Sequence, residues 1–149
     1  MSRRREPGFS PSTIRILIAD DFAPWRHRLR HLLRIRPDWV IVSETSDGIQ
    51  AVEKAVELCP DVILLDIGMP GLNGIGVAKL IRQKCPGSIV LFVTQNPDPE
   101  IRTAALESSG AKAYLLKTEA ASQLVPTITN ALNRRASGEP IASSPPAFR

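Results

Sequence analysis

"RILIADDFAP", residues 15–24, decides how this chain is read. An apolar run that begins at Ile14 stops at Ala19 and is followed at once by two carboxylates, Asp20 and Asp21. Such a run reads as a strand buried on both faces. Two like charges at its end repel each other. They are either a turn and helix cap, where Asp is favoured, or part of a site completed by a cation and by residues from elsewhere in the chain.

Working outward, apolar runs and helical periodicity alternate. Phe22, Trp25, Leu29, Leu32 and Leu33 recur at helical spacing, and Pro37 ends that helix. "WVIVSE" (39–44) reads as a second strand, and 47–59 as a helix with Ile49, Val52, Val56 and Cys59 on its apolar face. "VILLD" (62–66) is a third strand, Gly71, Asn73 and Gly74 a turn, and 75–85 a helix stopped by Pro86-Gly87. A strand at 88–94, a helix at 98–109 with Pro99 in its first turn, a strand at 113–117 and a helix at 119–135 follow. Pro126 falls inside the last helix, where proline costs about 3 kcal/mol, so a kink or restart is expected there. Five strands alternating with five helices predict an α/β, doubly wound (βα)5 sandwich. Its sheet is parallel with right-handed crossovers. Residues 13–135 form the predicted domain, and 1–12 and 136–149, rich in Ser, Pro and Gly, are expected to be disordered tails.

The bulk numbers agree with one domain. The 149 residues are 43% hydrophobic and 23% charged, with a net charge of +4. The apolar runs are of strand length, far below the ~20 residues of a membrane span, and the arginines near the N-terminus precede no apolar signal segment. No membrane association is expected. Cys59 and Cys85 lack metal-ligand spacing and read as reduced thiols of a cytoplasmic protein. The basic stretch "RHRLRHLLRIR" (26–36) carries no interleaved aromatics and no nucleic-acid-binding motif, so it reads as a solvated helix face, with docking of an acidic partner second. No direct nucleic-acid binding is expected. His27 and His31, i and i+4 without a third ligand, read as surface residues.

In doubly wound sheets ligands bind beyond the carboxyl ends of the strands. The flavodoxin-like strand order 2-1-3-4-5 sets strands one and three side by side at that edge. The polar residues collect there: Asp20 and Asp21 after strand one, Asp66 after strand three, Thr94 at the end of strand four, Lys117 at the end of strand five. Two carboxylates 4 Å apart repel by about 4 kcal/mol at an effective dielectric of 20. Three stay ionised together only if cations share the site. Lys117 supplies one charge. A hard divalent ion with oxygen ligands, best Mg²⁺, supplies two more.

The set Asp20, Asp21, Asp66, Thr94 and Lys117 resembles the receiver (CheY-like) domain of two-component response regulators. "DIGMPGLNG" (66–74) matches that family's acceptor segment and "GAKAYLLK" (110–117) its last strand. The match covers roughly 14–134, and its texture is closest to receivers that precede a LuxR-type DNA-binding domain. No such domain follows in this sequence, so a stand-alone receiver is expected, with a fragment of a LuxR-type regulator as the alternative. The resemblance implies that Asp66 takes a phosphoryl group from a sensor histidine kinase. It implies Mg²⁺ bound by Asp21, Asp66 and the Gly68 backbone carbonyl, and by Asp20 through water. Lys117 would pair with a phosphoryl oxygen, Thr94 would turn its hydroxyl onto another, and Tyr114 would follow inward as a switch. Switched contacts to a downstream protein target or within a homodimer would be the output.

Four positions depart from the family's habit or tune it. Gln95 stands where a small residue is common, Thr118 where Pro is common, and Gly68 and Asn96 sit where phosphoryl lifetime is set. The chain is expected not to be an enzyme beyond self-phosphorylation and slow self-dephosphorylation. A Mg²⁺-dependent phosphohydrolase is the competing reading, but it would place an acid–base Asp at position 68, which is Gly. A scaffold that is never phosphorylated has no use for a repulsive acidic cluster. Each residue also has a plainer reading, as a cap, a turn acid, a β-former, a solvated lysine or a half-buried structural tyrosine.

Overall fold

The structure, a computed structural model, describes residues 13–136. Its elements run β1 (Ile14–Ala19), α1 (Ala23–Leu33), β2 (Trp39–Thr45), α2 (Gly48–Leu58), β3 (Val62–Leu65), α3 (Gly74–Lys84), β4 (Ile89–Thr94), α4 (Pro99–Ser109), β5 (Ala113–Leu116) and α5 (Ala120–Ala136). All strands pair in parallel, in the order β2-β1-β3-β4-β5. This is the predicted architecture. The expected tails lie outside the described residues, apart from Ala136 at the end of α5. Among the described residues no helix is long and apolar enough to cross a membrane.

Side chains alternate across the sheet, and β1, β3, β4 and β5 therefore each feed two cores, while β2 feeds only one. On one face Leu17, Ile63, Leu65 and Phe92 pack with Ala51 and Ala55 of α2, Val77 and Ile81 of α3 and Ala105 of α4. On the other, Ile16, Ile18, Leu64 and Leu91 pack with Leu29 and Leu33 of α1 and Leu124 and Ile128 of α5. Side-chain caps start three helices: Asp47, Asn73 and Asp98 accept from the backbone N–H groups of Gln50, Gly76 and Glu100.

Four local expectations need correction. The buried stripe of α2 is Gly48, Ala51 and Ala55, while Ile49 and Val56 are exposed. A Cβ on Gly48 would lie 2.6 Å from the Leu72 carbonyl oxygen and 2.8 Å from Val77 Cγ2. The helix thus approaches its neighbours along its smallest residues, and the larger ones turn outward. Cys59 is the exposed C-cap, at φ 43. Phe22 is the exposed residue before α1 rather than part of its buried face. Finally, α5 runs without interruption through Pro126, so the helix does not restart there. Pro126 and Ser122, whose carbonyl loses its N–H partner, are both exposed.

The basic face of α1 is also less free than expected. Arg26 and Arg30 pair with Glu44 of β2 at 3.1 and 2.5 Å. Beyond the helix, Arg36 stacks over Trp39, 4.6 Å from the ring centroid.

Candidate functional site

The carboxyl edge of the sheet is tied together by backbone bonds that continue the ladder. The Asp20 N–H donates to the Thr45 carbonyl at 3.0 Å, and the Asp66 N–H to the Ala19 carbonyl at 3.0 Å. Adjacent parallel strands therefore deliver both acids to one point. Asp21, one residue on, joins them: carboxylate oxygens of Asp20, Asp21 and Asp66 lie within 4.8 Å of one another. Asp20 is buried, Asp66 nearly so, and Asp21 exposed.

Lys117 opens the 3₁₀ turn Lys117–Glu119 that follows β5. Its Nζ lies 2.7 Å from Asp20 Oδ2 and 3.8 Å from Asp66 Oδ2. The Phe22 N–H donates to Asp20 Oδ1 at 2.8 Å. Burial pushes the Asp20 carboxyl up from its ordinary value and the Asp66 charge adds to this; the hydrogen bonds from Lys117 and Phe22 oppose the shift. The acidic cluster is therefore under-compensated by the protein alone. Its donors are all hard oxygens, and it opens onto a cleft lined by Asp21, Asp66, Gly68, Thr94, Gln95 and Lys117. That donor set fits a divalent cation of the Mg²⁺ kind.

The β3–α3 loop holds Asp66 by close backbone packing. The Gly74 N–H donates to the Ile67 carbonyl at 2.9 Å. A Cβ on Gly74 would sit 2.5 Å from Ile67 Cα and 2.7 Å from the Asp66 carbonyl oxygen. Gly68 is exposed, and a Cβ there would meet nothing within 4 Å.

Six of the seven predicted site residues meet at this edge: Asp20, Asp21, Asp66, Gly68, Thr94 and Lys117. Tyr114 does not line the cleft. Its ring is already buried, 6.1 Å from that of Phe92, and it borders the groove between α4 and α5. It reaches the cleft through Asn96: the Tyr114 hydroxyl donates to the Asn96 carbonyl at 2.7 Å, and the Asn96 N–H donates to Thr94 Oγ1 at 3.3 Å. Burial is the main cause that raises the Tyr114 phenol. Two site residues escaped the sequence reading. Trp25 places its ring 5.3 Å from Lys117 Nζ, and Arg26 donates to the Asp20 carbonyl at 2.6 Å. Helical periodicity marked Trp25 only as apolar, and nothing linear couples α1 to the lysine after β5.

The sequence model of the response regulator receiver domain matches residues 16–129, and the chain belongs to that family. It is 38% identical over 134 residues to the nitrate/nitrite response regulator protein NarL of Escherichia coli, covering 89% of this chain and 58% of that protein. It is 39% identical over 104 residues to a protein-glutamate methylesterase/protein-glutamine glutaminase of Thermotoga maritima, covering 70% of this chain and 30% of the other. The chain thus spans only part of the length of these relatives. Among solved structures, a LuxR-family two-component response regulator from Aurantimonas superposes with a TM-score of 0.77 at 30% identity, over 86% of this chain and 88% of that one. The likeness to LuxR-type receivers expected from the strand texture is present.

Proposed function

We propose that residues 13–135 form a phospho-accepting receiver and that Asp66 is the acceptor. The observation that carries this reading is the convergence of Asp66, Asp20 and Asp21 within 4.8 Å, beside Lys117 and at the floor of an open cleft. An Asp66 carboxylate oxygen attacks the phosphorus of a phosphohistidine on a sensor kinase. The phosphorus–nitrogen bond breaks, and its electron pair returns to the imidazole. Positioning and charge neutralisation carry such a transfer. Asp21, Asp66, the Gly68 carbonyl and Asp20 would hold Mg²⁺, which would supply charge neutralisation there. Lys117 neutralises part of the incoming charge, and its contact with Asp20 keeps the ammonium at the cleft floor. Thr94 offers its hydroxyl to a phosphoryl oxygen. Because Asn96 links Thr94 to Tyr114, that turn of Thr94 disturbs the loop after β4 and the wall of the α4–α5 groove.

In this reading the chain catalyses at most its own phosphorylation and slow dephosphorylation in the cytoplasm. Its partners are a sensor histidine kinase and a downstream protein, with homodimer formation compatible and nucleic-acid contact not needed. The test is incubation with Mg²⁺ and acetyl phosphate, followed by intact-protein mass spectrometry of the parent and of Asp66→Asn. A phosphoryl adduct in the parent alone supports the acceptor. An adduct that persists in Asp66→Asn, phosphate release through many turnovers without an adduct, or no reaction overturns it.

A further inference from the structure

A second reactive group lies away from the acidic cluster. Lys112 is half-buried just before β5, on a groove of about 600 Å³ between α4 and α5. Its Nζ donates to the Gly110 carbonyl at 2.9 Å and its backbone N–H to the Val90 carbonyl at 2.9 Å, so the residue is held at both ends. Gly110 has φ +79 and lies under the Arg82 side chain, where a Cβ would come 2.7 Å from Arg82 Cδ. The charged groups around the Lys112 ammonium come from each neighbouring element. The charges of Arg82 of α3 and Arg134 of α5 disfavour its protonated form. Arg102 of α4 and Glu119 of the 3₁₀ turn line the same groove. Three guanidinium groups against one carboxylate make the surroundings cationic.

We propose that Lys112 is an acylation site that takes an acyl group from small anionic acyl donors, of which acyl phosphates are the class that fits. Arg102, on the groove wall, attracts the phosphate end, and the groove admits a molecule of that size. The Nζ lone pair attacks the acyl carbon. A carbon–nitrogen bond forms, the carbon–oxygen bond to phosphate breaks, and phosphate leaves with the electron pair. Water takes the proton lost from nitrogen. The product amide is neutral, so acylation removes one charge from a cluster of like charges.

The free amine needed for this attack is unusually available. Burial, then the charges of Arg82 and Arg134, lower the Lys112 ammonium to about 8. At pH 7.5 such an amine is about one-quarter free base, against roughly one part in a thousand for an ordinary lysine. A less basic amine is a weaker nucleophile. If amines lose reactivity with basicity as steeply as thiols do, this takes back about tenfold, and a rate advantage on the order of tenfold remains.

The proposal does not depend on Asp66. The full chain and Asp66→Asn are incubated with acetyl phosphate at pH 7.5, and acetylated lysines are mapped by peptide mass spectrometry over time. Lys112 is expected to acetylate about ten times faster than Lys54, Lys79 and Lys84 in both proteins, with a rate that levels off above about pH 8. Modification of Lys112 no faster than those lysines, or a rate that climbs to pH 10 in step with theirs, overturns the proposal. Phosphorylation is read on Asp66 and acylation on Lys112, so the failure of one is not the failure of the other.

Discussion

Replacing Lys117 by methionine removes the only side-chain cation within 4 Å of the Asp20 and Asp66 carboxylates among the described residues. At an effective dielectric of 20, the 2.7 Å contact to Asp20 is worth about 6 kcal/mol of attraction and the 3.8 Å contact to Asp66 about 4. The desolvation of three largely buried groups takes back much of that sum. Removing one partner of a buried pair costs about 3–5 kcal/mol, because the other charge is left uncompensated. Asp20 escapes part of this by binding a proton, since burial already raises its carboxyl and Lys117 is the foremost group holding it down. We therefore expect Lys117→Met to lose about 3 kcal/mol at pH 7.5 in EDTA. For a chain of this size that is roughly 6–12 °C in Tm.

The pH dependence has a definite sign. In the variant, folded Asp20 keeps its proton to a higher pH than in the unfolded chain, where Asp titrates near about 3.9. The folded state binds more protons, so the deficit shrinks as pH falls from 7 towards 4. Saturating Mg²⁺ is expected to restore most of the loss by binding only the folded state. Urea unfolding across pH, with and without MgCl₂, measures all of this. A variant as stable as the parent in EDTA, a deficit that grows as pH falls, or no effect of Mg²⁺ on either protein refutes the reasoning.

Gly74→Ala should cost about 2–3 kcal/mol and weaken Mg²⁺ binding, because the new Cβ meets only backbone atoms, Ile67 Cα and the Asp66 carbonyl oxygen, at 2.5 and 2.7 Å. A change within about 0.5 kcal/mol on urea unfolding, the size of an ordinary surface substitution, contradicts the close packing of that loop. Pro126→Ala should stabilise the fold by about 1–3 kcal/mol, since it restores an N–H for the Ser122 carbonyl inside α5. A lower Tm by calorimetry would show that the helix depends on the ring.

The β-rich runs at 14–19, 62–65 and 89–94 were legible because a strand covered on both faces must be apolar throughout, and little else in a chain of this length is. The ends of the same runs exposed the acids and the lysine. Pro126 does not make the last helix restart, because the packed face of α5, Leu124 and Ile128, continues on both sides of it. Arg15 is a further residue that linear reading passes over. It stands inside the apolar first strand yet is 1% exposed, with its guanidinium donating to the Leu58 and Cys59 carbonyls at 2.7 and 3.1 Å. Beside it, Asp61 accepts the Arg15 backbone N–H at 2.8 Å and pairs with Arg135 at 3.3 Å. The partners lie 43 to 74 residues away along the chain.

By itself the sequence determined the class of fold, the order of its elements and the short list of polar residues at one edge of the sheet. Periodicity states which residues are able to be buried together. Only the tertiary structure decided which of two apolar stripes on α2 faces inward, that Arg26 and Arg30 spend their charge on Glu44, and that Tyr114 touches the cleft only through Asn96. The reason is distance. Whether a small stripe beats a large one depends on how closely the neighbouring helix approaches, and whether a charge is free depends on what stands 3 Å away. Neither separation is written along the chain; both are set when five strands and five helices close on one another.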